Sequence, residues 1–282
     1  VAQAQDTLKK IKDTGKVVMG VRESSAPLSL TLGGGKYTGY HVELCEHIIS
    51  DVRKQLGLTQ LTVEYTPVTS QNRIPLVQNG TVDIECGSTT NNQARQQQVA
   101  FGLTTYMTEV RMAVNVKSGI NSISQLNGKT IVTTTGTTSV QHLRKHERGN
   151  NVNFNEIFGK DHADSMLILE SGRADAFVMD DNLLAGNIAN AKNPADFKIV
   201  GEVLSVEPIA IMIRKDDPAF KKAVDDSIRA SIKSGDLEKL YNKWFMQPIP
   251  PKNVSVNLPM GATLKALLSS PNDNPMEAYV KK

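Results

Sequence analysis

One short pattern occurs twice: Leu76-x3-Gly80-x2-Asp83 returns as Ile168-x3-Gly172-x2-Asp175. Each copy reads as the apolar end of a helix, a glycine suited to a left-handed C-cap, and the entry to a strand. A helix–strand unit repeated this way calls for two similar α/β domains, and 282 residues are enough for two cores. Five residues beyond each aspartate stand Ser88 and Asp180. Ligands collect outside the carboxyl ends of strands in open α/β sheets, so both positions are expected to face ligand space. Two such domains facing each other enclose a cleft.

The surrounding sequence supports that grammar. Strands are predicted at Val17–Val21, Leu61–Tyr65 and Val82–Cys86, with helices over Gly39–Leu56 and Ile74–Gln78. Ile131–Thr134 and Ala176–Met179 read as strands, and Ser139–His146 and Met166–Glu170 as helices. The fold class is therefore α/β, each lobe a mostly parallel sheet flanked by helices. Further strands are expected over Val203–Met212 and long helices over Pro218–Gly235 and Leu237–Trp244. Trp244 and Phe245 are expected to anchor the core, and the proline-rich Pro248–Lys282 to wrap the surface irregularly.

Composition narrows the function classes. With 39% hydrophobic and 22% charged residues the chain is neither disordered nor fibrous, and its apolar runs are too short to span a bilayer. A net charge of +3 without a Lys/Arg stripe argues against a nucleic-acid partner. His142 and His146 lack the His-Glu-x-x-His order of a zinc protease and read as an exposed charged helix face. His41, Cys45 and His47 have a partly metal-like spacing, but Cys45 falls on the apolar face of its helix. Gly33–Gly35 reads as a hairpin turn and not a P-loop. No catalytic residue, metal or cofactor is therefore assigned.

The remaining polar constellation suits a free amino acid, whose α-carboxylate needs a planar cationic fork and whose α-ammonium needs an anion. Arg95 and Asp180 can supply these, and Ser88 and Thr90 can add hydroxyls. Gly136-Thr137-Thr138 leads into a helix N-terminus, where free N–H groups favour an anion.

Over Lys16–Phe245 the chain resembles the type II periplasmic amino-acid-binding proteins of ABC importers, particularly those that take glutamate and aspartate. The likeness rests on Gly39-Tyr40-His41-Val42-Glu43-Leu44, Arg73-Ile74-Pro75-Leu76, Ser88-x-Thr90-x4-Arg95, Gly136-Thr137-Thr138 and Gly172-Arg173-Ala174-Asp175-Ala176 leading to Asp180. It implies the two-lobed type II binding-protein fold, with residues 1–109 and 207–282 in lobe 1, residues 110–206 in lobe 2, and a two-strand hinge. It assigns Arg95, Ser88, Thr90 and Thr138 to the ligand's backbone atoms and Asp180 to its ammonium. Many relatives carry an aromatic platform where this chain has Ser70; with Arg22, Arg73 and His162 nearby, the gap suits an acidic side chain. The resemblance further implies a periplasmic monomer with its signal peptide removed, an ABC permease as membrane partner, and no enzymatic activity; a dehydratase-like enzyme on the same fold is the alternative. In an oxidising periplasm Cys45 and Cys86 are expected to form a disulfide.

Overall fold

The computed structural model describes residues 6–280. The chain begins with α1 (Thr7–Thr14), β1 (Lys16–Val21) and a small antiparallel sheet of β2 (Ser24–Ser25), β3 (Ser29–Gly33) and β4 (Lys36–Thr38). Next come α2 (Tyr40–Gln55), β5 (Thr62–Pro67), α3 (Arg73–Gln78), β6 (Ile84–Glu85), α4 (Gln93–Gln96) and β7 (Val99–Phe101). β8 (Tyr106–Asn115) leads into a second body of β9 (Thr130–Thr134), α5 (Thr138–Asn150), β10 (Asn155–Gly159), α6 (His162–Glu170), β11 (Ala176–Asp180) and α7 (Asp181–Ala189). β12 (Phe197–Ile209) returns to the first body, which is completed by β13 (Met212–Arg214), α8 (Pro218–Ser234), α9 (Asp236–Phe245) and α10 (Ala262–Ser269).

The two main sheets share one plan. Their strand orders are β5-β1-β6-β13-β7 and β10-β9-β11-β8-β12. In each, the first three strands are parallel and the fourth, β13 or β8, is the single strand running the other way. The repeated motif sits in the same place in both. Gly80 and Gly172 take φ of +82° and +78° at the turns into β6 and β11. The aspartates then lock those strands to the neighbouring one. Asp83 Oδ2 accepts from Val18 N at 2.9 Å while Asp83 N donates to Val18 O at 2.9 Å. Asp175 does the same with Thr130, at 2.9 and 2.8 Å. A carboxylate that accepts a backbone N–H at a strand start is why an acid recurs there.

Apolar packing covers both faces of each sheet. α2, α8 and α9 bury Ile48, Val52, Phe220, Val224, Trp244 and Phe245 in the larger core of the first body. Cys45 of α2 is joined to Cys86, just past β6, as expected. The bodies are connected by β8 and β12, which pair antiparallel from Tyr106↔Ile209 to Val110↔Ser205 before a bulge separates Ser205 from Val200.

The tail is mostly irregular, as expected, but it holds one helix. α10 buries Leu264 and Leu267, and a short 3-10 turn covers Met276–Tyr279. Beyond α10 the tail braces the loop after β6: Met276 N donates to Asn91 O at 2.8 Å, and Asn91 Nδ2 donates to Asp273 O at 3.0 Å. The proline spacing hid a helix whose leucines recur at helical intervals.

Candidate functional site

A nearly closed cavity with only about 10 Å³ of free volume lies between the bodies, outside the carboxyl ends of β6, β9 and β11. It is lined by Ser70, Arg73, Ser88, Thr90, Arg95, Thr138, His162 and Asp180 among others, so eight of the expected site residues converge on one small space. Arg22, directly after β1, is fully buried beside it and donates to Ser70 Oγ at 2.9 Å and Ser88 Oγ at 3.4 Å.

Contacts across the cleft hold it narrow. Arg22 Nη2 pairs with Asp161 Oδ1 at 2.7 Å, and Arg73 and Arg95 reach Gly136 O at 3.5 and 3.3 Å. Gly136 has φ +85°, and a Cβ there would sit 2.8 Å from Ser70 O. Gly186 of α7 is as tight: its Cβ would meet Ala26 O at 2.2 Å. Glycine at these points allows backbone to approach backbone from opposite lobes.

The electrostatics divide the cavity in two. At one end Asp180 closes β11 with its side chain making no hydrogen bond among the described residues, and burial, with Glu207 and Asp181 close by, raises its pKa well above the carboxylate range. A cation placed there would reverse that penalty. At the other end, burial and the neighbouring Arg95 and Arg22 disfavour the charge on Arg73, lowering its pKa. Burial and Arg22 pull His162 down to about 3, so its imidazole is neutral. Among the described residues Arg22 Nε and Arg73 Nε are buried donors without a partner, and the buried His162 Nε2 has none either. Unsatisfied buried donors are costly, and an anion is the group that would satisfy them together. Behind them Glu85 is buried, one oxygen unpartnered and the other accepting from Thr89 Oγ1 at 3.0 Å. Burial raises its pKa against the pull of Arg73 and Arg22.

Two expectations need correction. His142 is not on an exposed face: its Nε2 lies 2.6 Å from Glu207 Oε2, because the α5 face that carries it abuts β12. The hydroxyls of Thr90 and Thr138 do not point at free space either, since both donate to Glu207 Oε1, at 2.8 and 2.6 Å. Burial opposes the ionisation of Glu207, but these bonds and His142 outweigh it and lower its pKa. The backbone N–H groups at the start of α5 stay available to an anion. Sequence reasoning missed Glu207; the one signal was a lone acid inside the apolar run Val203–Met212. Among the described residues no cluster of His, Cys, Asp and Glu is arranged to hold a metal. His41 instead uses Nδ1–H to donate to Gly87 O at 2.6 Å and sits 2.7 Å from Thr105 Oγ1.

Residues 17–247 match the model of the bacterial extracellular solute-binding proteins, family 3. The chain belongs to this family. It is 48% identical over 272 residues to the L-glutamate/L-aspartate-binding protein of Pseudomonas aeruginosa, covering 96% of this chain and 90% of that one. It is 46% identical over 280 residues to the glutamate/aspartate import solute-binding protein of Escherichia coli K12, covering 97% and 93%. Among solved structures, a P235GK mutant of ArgBP from T. maritima superposes with a TM-score of 0.75 at 26% identity, covering 86% of this chain and all of that one. As a family 3 solute-binding protein the chain has the two-lobed type II binding fold, and its relatives are named for binding and import, not for catalysis.

Proposed function

We propose that this protein captures glutamate or aspartate between its lobes and delivers it to the permease of an ABC importer, working in the periplasm as a monomer freed of its signal peptide. The observation that carries the reading is the set of buried nitrogens without a partner, Arg22 Nε, Arg73 Nε and His162 Nε2, beside a cavity that the buried carboxyl of Asp180 also lines. Relatives named for glutamate and aspartate cover nearly the whole chain at 46–48% identity, which supports the same ligand class.

In this reading Arg95 and the N-terminus of α5 at Thr138 clamp the α-carboxylate, with Thr90 contributing backbone. Asp180 and Ser88 hold the ammonium. Arg22, Arg73, Ser70 and His162 surround the side-chain carboxylate. All are ground-state donors and acceptors, and none is placed as a general acid over a reacting atom, so the ligand leaves unchanged. Of the described residues, 6–109 with 207–280 form lobe 1 and 110–206 form lobe 2. The lobes close about β8 and β12 when the ligand bridges them.

Titration calorimetry against the twenty amino acids, with the bound ligand recovered afterwards, tests this. Glutamate and aspartate should bind and be recovered intact. Glutamine binding within threefold of glutamate would overturn the acidic-ligand assignment, and a transformed ligand would overturn the binding-protein one.

A further inference from the structure

His162 opens α6 and is buried, with its two ring nitrogens in different company. His162 lines the cavity, and its Nε2 is buried with no hydrogen-bond partner among the described residues. Nδ1 lies 2.9 Å from Thr134 Oγ1 at the end of β9, and that oxygen lies 2.8 Å from Ser165 Oγ, one turn further along α6. Thr134 and Ser165 are both completely buried. The approach of Ser165 depends on Gly159, where a Cβ would fall 2.0 Å from Ser165 Oγ.

We propose that Thr134 and Ser165 are positioning residues that fix His162 as the neutral Nε2–H tautomer, making it an uncharged donor to the ligand's side-chain carboxylate. This rests on the acidic-ligand reading above. Each hydroxyl has one proton to give. When Ser165 donates to Thr134 and Thr134 donates to Nδ1, that nitrogen is an acceptor and the ring proton sits on Nε2, facing the cavity. The reverse order would turn a lone pair of Nε2 toward an anionic ligand. It would also leave the Ser165 hydroxyl to end on Thr133 O at 3.4 Å, a long bond. An imidazolium is disfavoured first by burial and then by the charges around the ring: Arg22 after β1 and Arg73 of α3, against the single carboxylate of Asp161. The side-chain carboxylate thus meets two guanidiniums and one neutral donor, and binding takes up no proton at His162.

The test compares wild type with Thr134→Val, Thr134→Ser and Ser165→Ala by calorimetry with glutamate and glutamine. Buffers of differing ionisation enthalpy at pH 6 report proton uptake, and nitrogen-15 spectra of the glutamate complex report the tautomer. Wild type should show Nδ1 unprotonated, Nε2 protonated and no proton uptake. Thr134→Val, nearly isosteric but lacking the hydroxyl, should weaken glutamate about tenfold and glutamine less than about threefold, the worth of one hydrogen bond to a charged group. Thr134→Ser should restore binding, and Ser165→Ala should fall between. An Nδ1–H ring or an imidazolium in the wild-type complex would overturn the inference, as would Thr134→Val binding glutamate like wild type. If Thr134→Val fails to fold, the wild-type spectra still decide. Absence of glutamate and aspartate binding by wild type would instead overturn the acidic-ligand reading, and the inference with it.

Discussion

Arg73→Met is the most informative single change, because the structure gives Arg73 two separable tasks. Its guanidinium faces the cavity with Nε unpartnered, and it also reaches across the cleft to Gly136 O at 3.5 Å. Methionine preserves much of the apolar stem while deleting every donor. If the first task dominates, glutamate loses a charge-assisted partner in a buried site, a cost of about 2–5 kcal/mol. At 1.4 kcal/mol per decade that is a loss of about 30-fold or more. Glutamine has no side-chain charge to pair and should lose less than about threefold, so the glutamate-to-glutamine preference collapses. If the second task dominates, closure is weakened and both ligands lose the same factor. Calorimetry on one preparation with both ligands distinguishes the two, with a thermal melt to confirm folding. Equal losses for glutamate and glutamine would refute the assignment of Arg73 to the side-chain carboxylate.

Arg95→Ala should weaken glutamate, aspartate and glutamine alike, by about 2 kcal/mol or more, since it removes the fork for the atoms they share; calorimetry that spared any of them would contradict the role. Gly186→Ala gains about 1 kcal/mol of helix preference in the interior of α7. Its Cβ would nevertheless meet Ala26 O at 2.2 Å, so ligand affinity and compaction in small-angle scattering should both fall. Burial lowers His41 to about 4, outweighing its bond to Gly87. Because that folded value lies below the unfolded one, its neutral ring supports the fold fully above pH 6.5, and about 3 kcal/mol is lost as the pH falls from there to 4. Urea midpoints that did not drop over this range, or that dropped equally in His41→Gln, would contradict it. Cys45→Ala with Cys86→Ala opens a loop of 41 residues and should cost about 4 kcal/mol of stability in denaturant titrations, with ligand selectivity unchanged.

What the sequence made legible was local. Asp83 and Asp175 stand out because a carboxylate capping a strand start leaves a fixed spacing from the preceding glycine, and that spacing exposed the repeat, the sheets and the cleft between them. Asp180 was legible because it closes β11 five residues beyond Asp175, and Arg95 because it follows the polar Ser88–Asn92 turn. Glu207 was not, because its partners Thr90, Thr138 and His142 lie 117, 69 and 65 residues away, the first in the loop after β6 and the other two on α5. Periodicity placed His142 on a polar helix face, but it could not say that this face meets a strand joining the lobes. Asp161, which pairs with Arg22 at a separation of 139 residues, was hidden in the same way. The contacts that escaped sequence reasoning are therefore mostly those that cross from one lobe to the other. On the proposed closure of the lobes about β8 and β12, these are the contacts made and broken in each cycle. A one-residue spacing rule cannot encode them, because the same residues must also be stable apart.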